Sequence, residues 1–352
     1  MHANTSRGGR RLTSPTRSQP EPATENWAPD ETSSRATRAR IDRWIERTPV
    51  RRWRPSSFAG SVPAAAEVWL KLELFQRTGS YKVRGALNNT LSASPGSLAA
   101  GVTAVSAGNH AVAAACAARE AEVSAKVVML ASANPLRVRR CRALGAEIVF
   151  APDAAEAFRI VRQIEADEGR LYLHPYEGVG TILGASTVGL EIAEQMPWLD
   201  ALVIPVGGGG LLAGTAAVLK QMCPWVTIYG VEPVGADSMR RSLEAGRPTA
   251  IEAVRTIADS LGAPYAEPIG FSLARRFVDE IVLVEDDEMR RAMRFLFEDA
   301  KLVTEPASAA PFAALCGPLR DRLAGKQAGL LLSGANIDLA TFREHIEAAP
   351  DP

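Results

Sequence analysis

From Gly101 onward, short β-branched runs alternate with longer helical patterns, and this alternation constrains the fold more than any other feature of the chain. GVTAVS, AKVVML, AEIVF, ALVIPV, VTIYGVE, EIVLVE and AGLLLS read as strands, with helices between them. Strands separated by helix-length segments cannot pair as hairpins, so the pattern predicts parallel sheets covered by helices, an α/β fold. The first three runs and their helices make a compact unit, predicted as a small α/β domain over residues 102–178. It interrupts a larger domain predicted over 35–101 plus 179–348, so the active site is expected in the cleft between the two. Residues 1–34 are rich in Ser, Thr, Arg, Pro and Gly and nearly free of aliphatics, which predicts a disordered extension. An Arg- and Ser-rich, acid-poor beginning also suits an organelle transit peptide. SRATRARIDRWIER, from Ser34 to Arg47, has its apolar positions on one helical face, and Thr48-Pro49 stops the predicted helix.

Ahead of the alternating region lies KLELFQRTGSYKVRGA, Lys71 to Ala86. A short apolar strand leads in, a helical pattern follows Val83, and Gly79 and Ser80 give the intervening turn its freedom. Lys82 therefore starts a helix beside the strand ends, where open α/β sheets bind ligands. Burial there, with Arg77 and Arg84 near in sequence, favours the neutral amine, and a neutral amine attacks carbonyls. Read alone, a lysine after a Gly-Ser turn is an ordinary solvated residue.

Two further turns repeat the strand, small-residue loop and helix arrangement. Ser106, Ala107, Gly108, Asn109 and His110 follow GVTAVS and open an Ala-rich helix, whose free N–H groups suit a carboxylate. Taken alone, Asn109 reads first as a helix cap and His110 as a packed or surface histidine. Gly207, Gly208, Gly209, Gly210 and Leu211 follow ALVIPV, and four residues without Cβ let the backbone wrap a phosphate at a helix start. GGGLLA also satisfies the dinucleotide pattern, with Glu232 closing the next strand as a ribose acid would. The dinucleotide turn, however, opens its domain's first βαβ unit, and this one comes late in the chain. LLLSGANIDL places Ser333 at a strand end, where a turn or cap serine is the plain alternative.

Together these strings resemble the pyridoxal-phosphate enzymes of the threonine dehydratase and serine racemase family. The lysine segment matches T-G-S-[FY]-K, KLVTEPASAA resembles L-V-x-E-P-A-G-A, and LSGAN matches L-S-G-x-N. The resemblance implies the two-domain tryptophan-synthase-β-like fold, pyridoxal-phosphate fold type II, and pyridoxal 5'-phosphate as cofactor. It implies that Lys82, after Tyr81, carries the cofactor as an imine and later removes the substrate α-proton. The loop Ser106 to His110 would bind the substrate carboxylate, Asn109 the cofactor's phenolic oxygen, and Gly207 to Leu211 its phosphate. Glu305 takes the family's acidic position, and Ser333 would meet the pyridine nitrogen. A neutral serine there leaves the ring a weaker electron sink. Ser260 and Ser308 stand where the family usually has glycine, and Ala107 stands where its racemases have a serine. EPVGADS has Ser238 in place of the racemases' metal-binding aspartate, so no metal site is expected. The activity implied is L-threonine/L-serine dehydration to 2-oxobutanoate or pyruvate plus ammonia. The alternatives are dehydration or racemisation of another 3-hydroxy amino acid such as 3-hydroxyaspartate, a β-replacement synthase, and a protein that binds the cofactor without turnover.

Forty basic residues balance forty acidic ones, so nucleic acid and anionic membrane are not expected partners, and a small amino-acid substrate is. Four scattered cysteines without ligand spacing, no long apolar run and no signal-peptide core point to a cytoplasmic enzyme. A homodimer or homotetramer is expected.

Overall fold

The computed structural model describes residues 26–54 and 62–350. Most of the expected disordered extension, residues 1–25, lies outside the described residues. Ordered structure nevertheless begins before Ser34. The first helix is Glu31–Ile41, because Asp30 and Ser33 form a reciprocal capping box at its start. A single tighter turn, Asp42–Trp44, ends this region short of the expected Arg47.

Ten strands follow: β1 Val50–Trp53, β2 Glu67–Leu72, β3 Val102–Val105, β4 Ala125–Leu130, β5 Glu147–Ala151, β6 Leu171–Tyr172, β7 Ala201–Pro205, β8 Thr227–Pro233, β9 Glu280–Val284 and β10 Gln327–Leu332. All seven expected runs are among them. They form one six-stranded sheet, β1-β2-β10-β7-β8-β9, and one four-stranded sheet, β5-β4-β3-β6. Every pairing is parallel except β1 with β2. The core of the large sheet is set by aliphatics in register, with Leu330 of β10 beside Leu70 of β2 and Val203 of β7. β3 and β7 are buried along their whole length, as parallel strands covered on both faces must be. Among the described residues no helix is long and apolar enough to cross a membrane.

This topology positions the site. β2, β10 and β7 are neighbours running in one direction, so the turns that follow them emerge along one edge. Those turns carry Lys82, Ser333 and the glycine run. Ser106 to His110 follow β3, one of the two inner strands of the smaller sheet.

Beneath that edge lies a buried ion cluster. Lys71, Glu73, Arg84 and Glu191 all have 0% exposure. Arg84 donates to both carboxylate oxygens of Glu73 at 2.8 Å and to Glu191 at 2.9 Å, while Lys71 reaches Glu191 at 2.6 Å. Arg84 thus points away from Lys82 into the protein, and Arg77 pairs with Glu120. The expectation that these arginines act on Lys82 is corrected: a helical residue two positions on faces the opposite side. Removing one partner from such a cluster leaves uncompensated buried charge and costs about 3–5 kcal/mol. Arg84→Met is therefore expected to lower stability by about that amount in urea titration. A loss below about 1 kcal/mol, the range of exposed pairs, would contradict this account.

Candidate active site

The turn ahead of Lys82 is tied to the turn after β10. Gly79 adopts φ +75°, and a Cβ there would come within 2.7 Å of Asn336 Oδ1, so close approach and backbone both require glycine. Ser80 pairs with Gly334 as an isolated antiparallel bridge, and Tyr81 N donates to Ser333 O at 3.1 Å. Lys82 and Ser333 are thereby held side by side. Lys82 opens helix Lys82–Ser92, and its Nζ donates to Pro175 O at 2.6 Å and lies 5.2 Å from the Tyr81 ring centroid. Burial lowers its amine to about 8, with Glu305 pulling the other way. The expected burial effect is present without the arginines.

The loop Ser106 to His110 runs into helix Asn109–Glu120. Ser106 Oγ accepts from Gly108 N at 3.0 Å, which shapes the turn. Asn109 does not cap the helix. Its Nδ2 donates to Glu305 Oε1 at 2.5 Å, and its Oδ1 accepts from Asn336 Nδ2 at 2.5 Å. His110 is buried, and burial with Lys82 nearby pushes its imidazole down to about 3. It is therefore neutral, with Nε2–H donated to Leu173 O at 2.7 Å. Glu305 sits just before helix Pro306–Cys316. Burial raises its carboxyl to about 7, and Arg137, 3.5 Å away, opposes the rise.

After β7, Gly207 to Gly209 form the turn into helix Gly210–Met222, with Gly209 at φ +91° and no side chain capping the helix start. A Cβ on Gly208 would fall 2.1 Å from the Tyr176 ring, and one on Gly210 would fall 2.3 Å from Tyr176 O. Leu211 behind them is buried. Tyr176 comes from the segment after β6 and packs against the run, while a narrow cleft opens on Lys82 between Tyr81, His110, Tyr176 and Ala185. The dinucleotide reading finds no free acid, because Glu232 accepts from Met239 N and Arg240 N, both at 2.9 Å, at the start of helix Ser238–Ala245.

The structure thus brings together Lys82, Tyr81, Asn109, the glycine run, Glu305 and Ser333, and places Ser106 and Ala107 on the loop entering the Asn109 helix. It also brings in residues whose part was not read from the sequence: Asn336, Arg137, Arg140, Pro175 and Tyr176. Asn336 carried a signal, since it ends the LSGAN string. The others fall on a helix or loop with no pattern pointing at a ligand.

These residues fit a phosphate-bearing pyridine aldehyde. An uncapped helix start offers N–H donors, the glycine cradle would be filled by any Cβ, Ser80 Oγ is buried without a hydrogen-bond partner, and the half-buried Lys82 amine stands beside them. Comparison with known proteins agrees. The family described as "Pyridoxal-phosphate dependent enzyme" matches residues 41–334. Phenylserine dehydratase of Ralstonia pickettii is 48% identical over 318 residues, covering 90% of this chain and 96% of the relative. L-threonine ammonia-lyase of Thermotoga maritima is 37% identical, covering 79% of this chain and 69% of the relative. The structure of maize serine racemase superposes with a TM-score of 0.84 at 31% identity, covering 91% of this chain and 98% of that one. The fold, the site chemistry and these likenesses place the chain in the pyridoxal-phosphate-dependent enzyme family, as a lyase of tryptophan-synthase-β-like fold.

Proposed function

We propose that the enzyme dehydrates 3-hydroxy amino acids, eliminating the β-hydroxyl as water and releasing a 2-oxo acid and ammonia. The observation that carries this reading is the half-buried Lys82 amine, lowered to about 8, beside an uncapped glycine-lined helix start. Pyridoxal phosphate, when bound, supplies a carbonyl for amines and a ring that withdraws electrons from the substrate α-carbon. Lys82 Nζ would hold the cofactor through that carbonyl and, once released by the substrate amine, would be the base that takes the α-proton. The N–H groups of Gly207 to Gly210 and Leu211 would hold the phosphate, Asn109 the phenolic oxygen and Ser333 the ring nitrogen. Ser106 to His110 orient the substrate carboxylate, with Tyr81 and Glu305 packing beside the cofactor. Residues 102–178 act as the small domain that covers the site, in a cytoplasmic homodimer or homotetramer.

The relative at 48% identity favours a bulky β-substituent and makes 3-phenylserine the first substrate to test. The threonine ammonia-lyase relative supports a second reading, threonine and serine. Racemisation needs an acid on the face opposite Lys82, and Ala107, at the position expected to supply it, has no proton to give. Purified enzyme offered L-threo-3-phenylserine, L-threonine, L-serine and 3-hydroxyaspartate is expected to release 2-oxo acid with very little D-enantiomer on chiral chromatography. No oxo acid from any of the four rejects the dehydratase reading. D-serine accumulating as fast as pyruvate rejects the reading of Ala107.

A further inference from the structure

A closed polar ring surrounds the Asn109 amide. Arg137 and Arg140 lie on helix Pro135–Ala143, which follows β4 of the smaller sheet, while Asp259, Glu305 and Asn336 belong to the part built on the larger one. Arg137 is 4% exposed. Its Nε donates to Asn336 O at 3.0 Å, and its guanidinium pairs with Asp259 and stands 3.5 Å from Glu305 Oε2. Arg140 donates to Asn336 Oδ1, which leaves Asn336 Nδ2 to donate to Asn109 Oδ1 at 2.5 Å and to Thr78 O at 2.9 Å. Asn109 Nδ2 closes the ring on Glu305 Oε1 at 2.5 Å.

An amide held at both ends has one orientation. With Oδ1 engaged by Asn336 and one N–H by Glu305, the second N–H of Asn109 projects in a fixed direction, 3.4 Å from Ser260 Oγ. We propose that Arg137 is a positioning residue: by holding Glu305 and Asn336 it fixes the Asn109 amide so that its second N–H, donated here only at 3.4 Å to Ser260 Oγ, meets the phenolic oxygen of bound pyridoxal phosphate. This rests on the cofactor and Asn109 reading above. Ionised, Glu305 offers Asn109 a carboxylate oxygen, a stronger acceptor than the carbonyl of the protonated acid. Burial works against that, and the charges facing its carboxyl are Arg137, Asp259 and Lys82, of which Arg137 is the close cation and Tyr81 a neutral neighbour. Without Arg137, Glu305 loses its close cation and the Asn336 carbonyl loses a donor, so the two groups that hold the Asn109 amide are themselves held less firmly.

The test reads the bound chromophore. A donor to the phenolic oxygen stabilises its ionised form, which absorbs at longer wavelength than the neutral form. The ratio of the two bands in the holoenzyme at fixed neutral pH therefore reports the Asn109 contact without turnover. Asn109→Ala is the reference and is expected to lower that ratio roughly tenfold, the loss of one hydrogen bond to a charged group. Arg137→Met is expected to lower it by a similar factor, and Arg137→Lys to recover part of it by keeping the charge. Should Arg137→Met fail to fold, Asp259→Asn, which loosens the guanidinium from outside the ring, is expected to shift the ratio in the same direction. A normal ratio in Arg137→Met or Asp259→Asn beside a shifted Asn109→Ala overturns the positioning role alone. No shift in Asn109→Ala overturns the Asn109 reading, and the proposal with it.

Discussion

Replacing Lys82 by alanine is expected to reduce turnover at least roughly a thousandfold, because in the proposed mechanism one residue both forms the covalent link and moves the α-proton. The proposed phosphate cup consists of backbone N–H groups on another element, so cofactor is still expected to bind, without the band that an amine link produces. Borohydride reduction of the wild-type holoenzyme is expected to fix the label on the Lys82 peptide, and label on another lysine would sink the assignment. The same amine sets a pH dependence for reconstitution. Only the neutral form attacks a carbonyl, and burial lowers its pKa from 10.5 to about 8. The rate at which cofactor-free enzyme takes up pyridoxal phosphate is thus expected to rise about tenfold per pH unit below 8 and to level off above it. A rate still climbing at pH 10 would mean that Lys82 behaves as an ordinary exposed lysine.

What could be read from the sequence, and what could not, follows from the range over which each signal acts. Parallel strands announce themselves as short aliphatic runs, and all seven expected runs are strands, although β5 and β9, at sheet edges, are only partly buried. β1, VRRW, was invisible because an edge strand paired on one side can keep charged residues, with Arg51 and Arg52 exposed. β6 is two residues long, too short for any period to show. Gly79 and Gly209 were legible as turns for a local reason, since both adopt positive φ. Side-chain direction was less legible. Arg84 lies two residues from Lys82 in the chain yet belongs to the buried cluster with Glu73 and Glu191. Arg137 and Tyr176 reach the site only through the fold, from a helix of the smaller sheet's unit and from the loop after β6. Chemistry carried by a strand end and its turn was therefore apparent, and chemistry delivered by tertiary packing was not.

The glycine run allows a second large effect to be separated into its causes. Gly208→Val is expected to weaken cofactor affinity at least roughly a hundredfold, because any Cβ there meets the Tyr176 ring at 2.1 Å and a β-branched side chain adds bulk where the phosphate should sit. Gly209→Ala acts by a different route. Its Cβ would touch only the mobile end of Met239, at 2.4 Å, but φ +91° is a conformation that alanine resists, so the turn itself must shift and its N–H groups lose their aim. Shortening the neighbour distinguishes the two. Gly208→Ala combined with Tyr176→Ala is expected to bind the cofactor better than Gly208→Ala alone, since the obstruction is removed while the backbone is unchanged. Tyr176→Ala is expected to give Gly209→Ala no such relief, because strain at φ +91° does not depend on what lies opposite. Equilibrium titration of the cofactor-free variants with pyridoxal phosphate measures all four affinities. Equal rescue of both would show that the run serves Tyr176 packing, and affinities that stay at the wild-type value throughout would place the phosphate elsewhere.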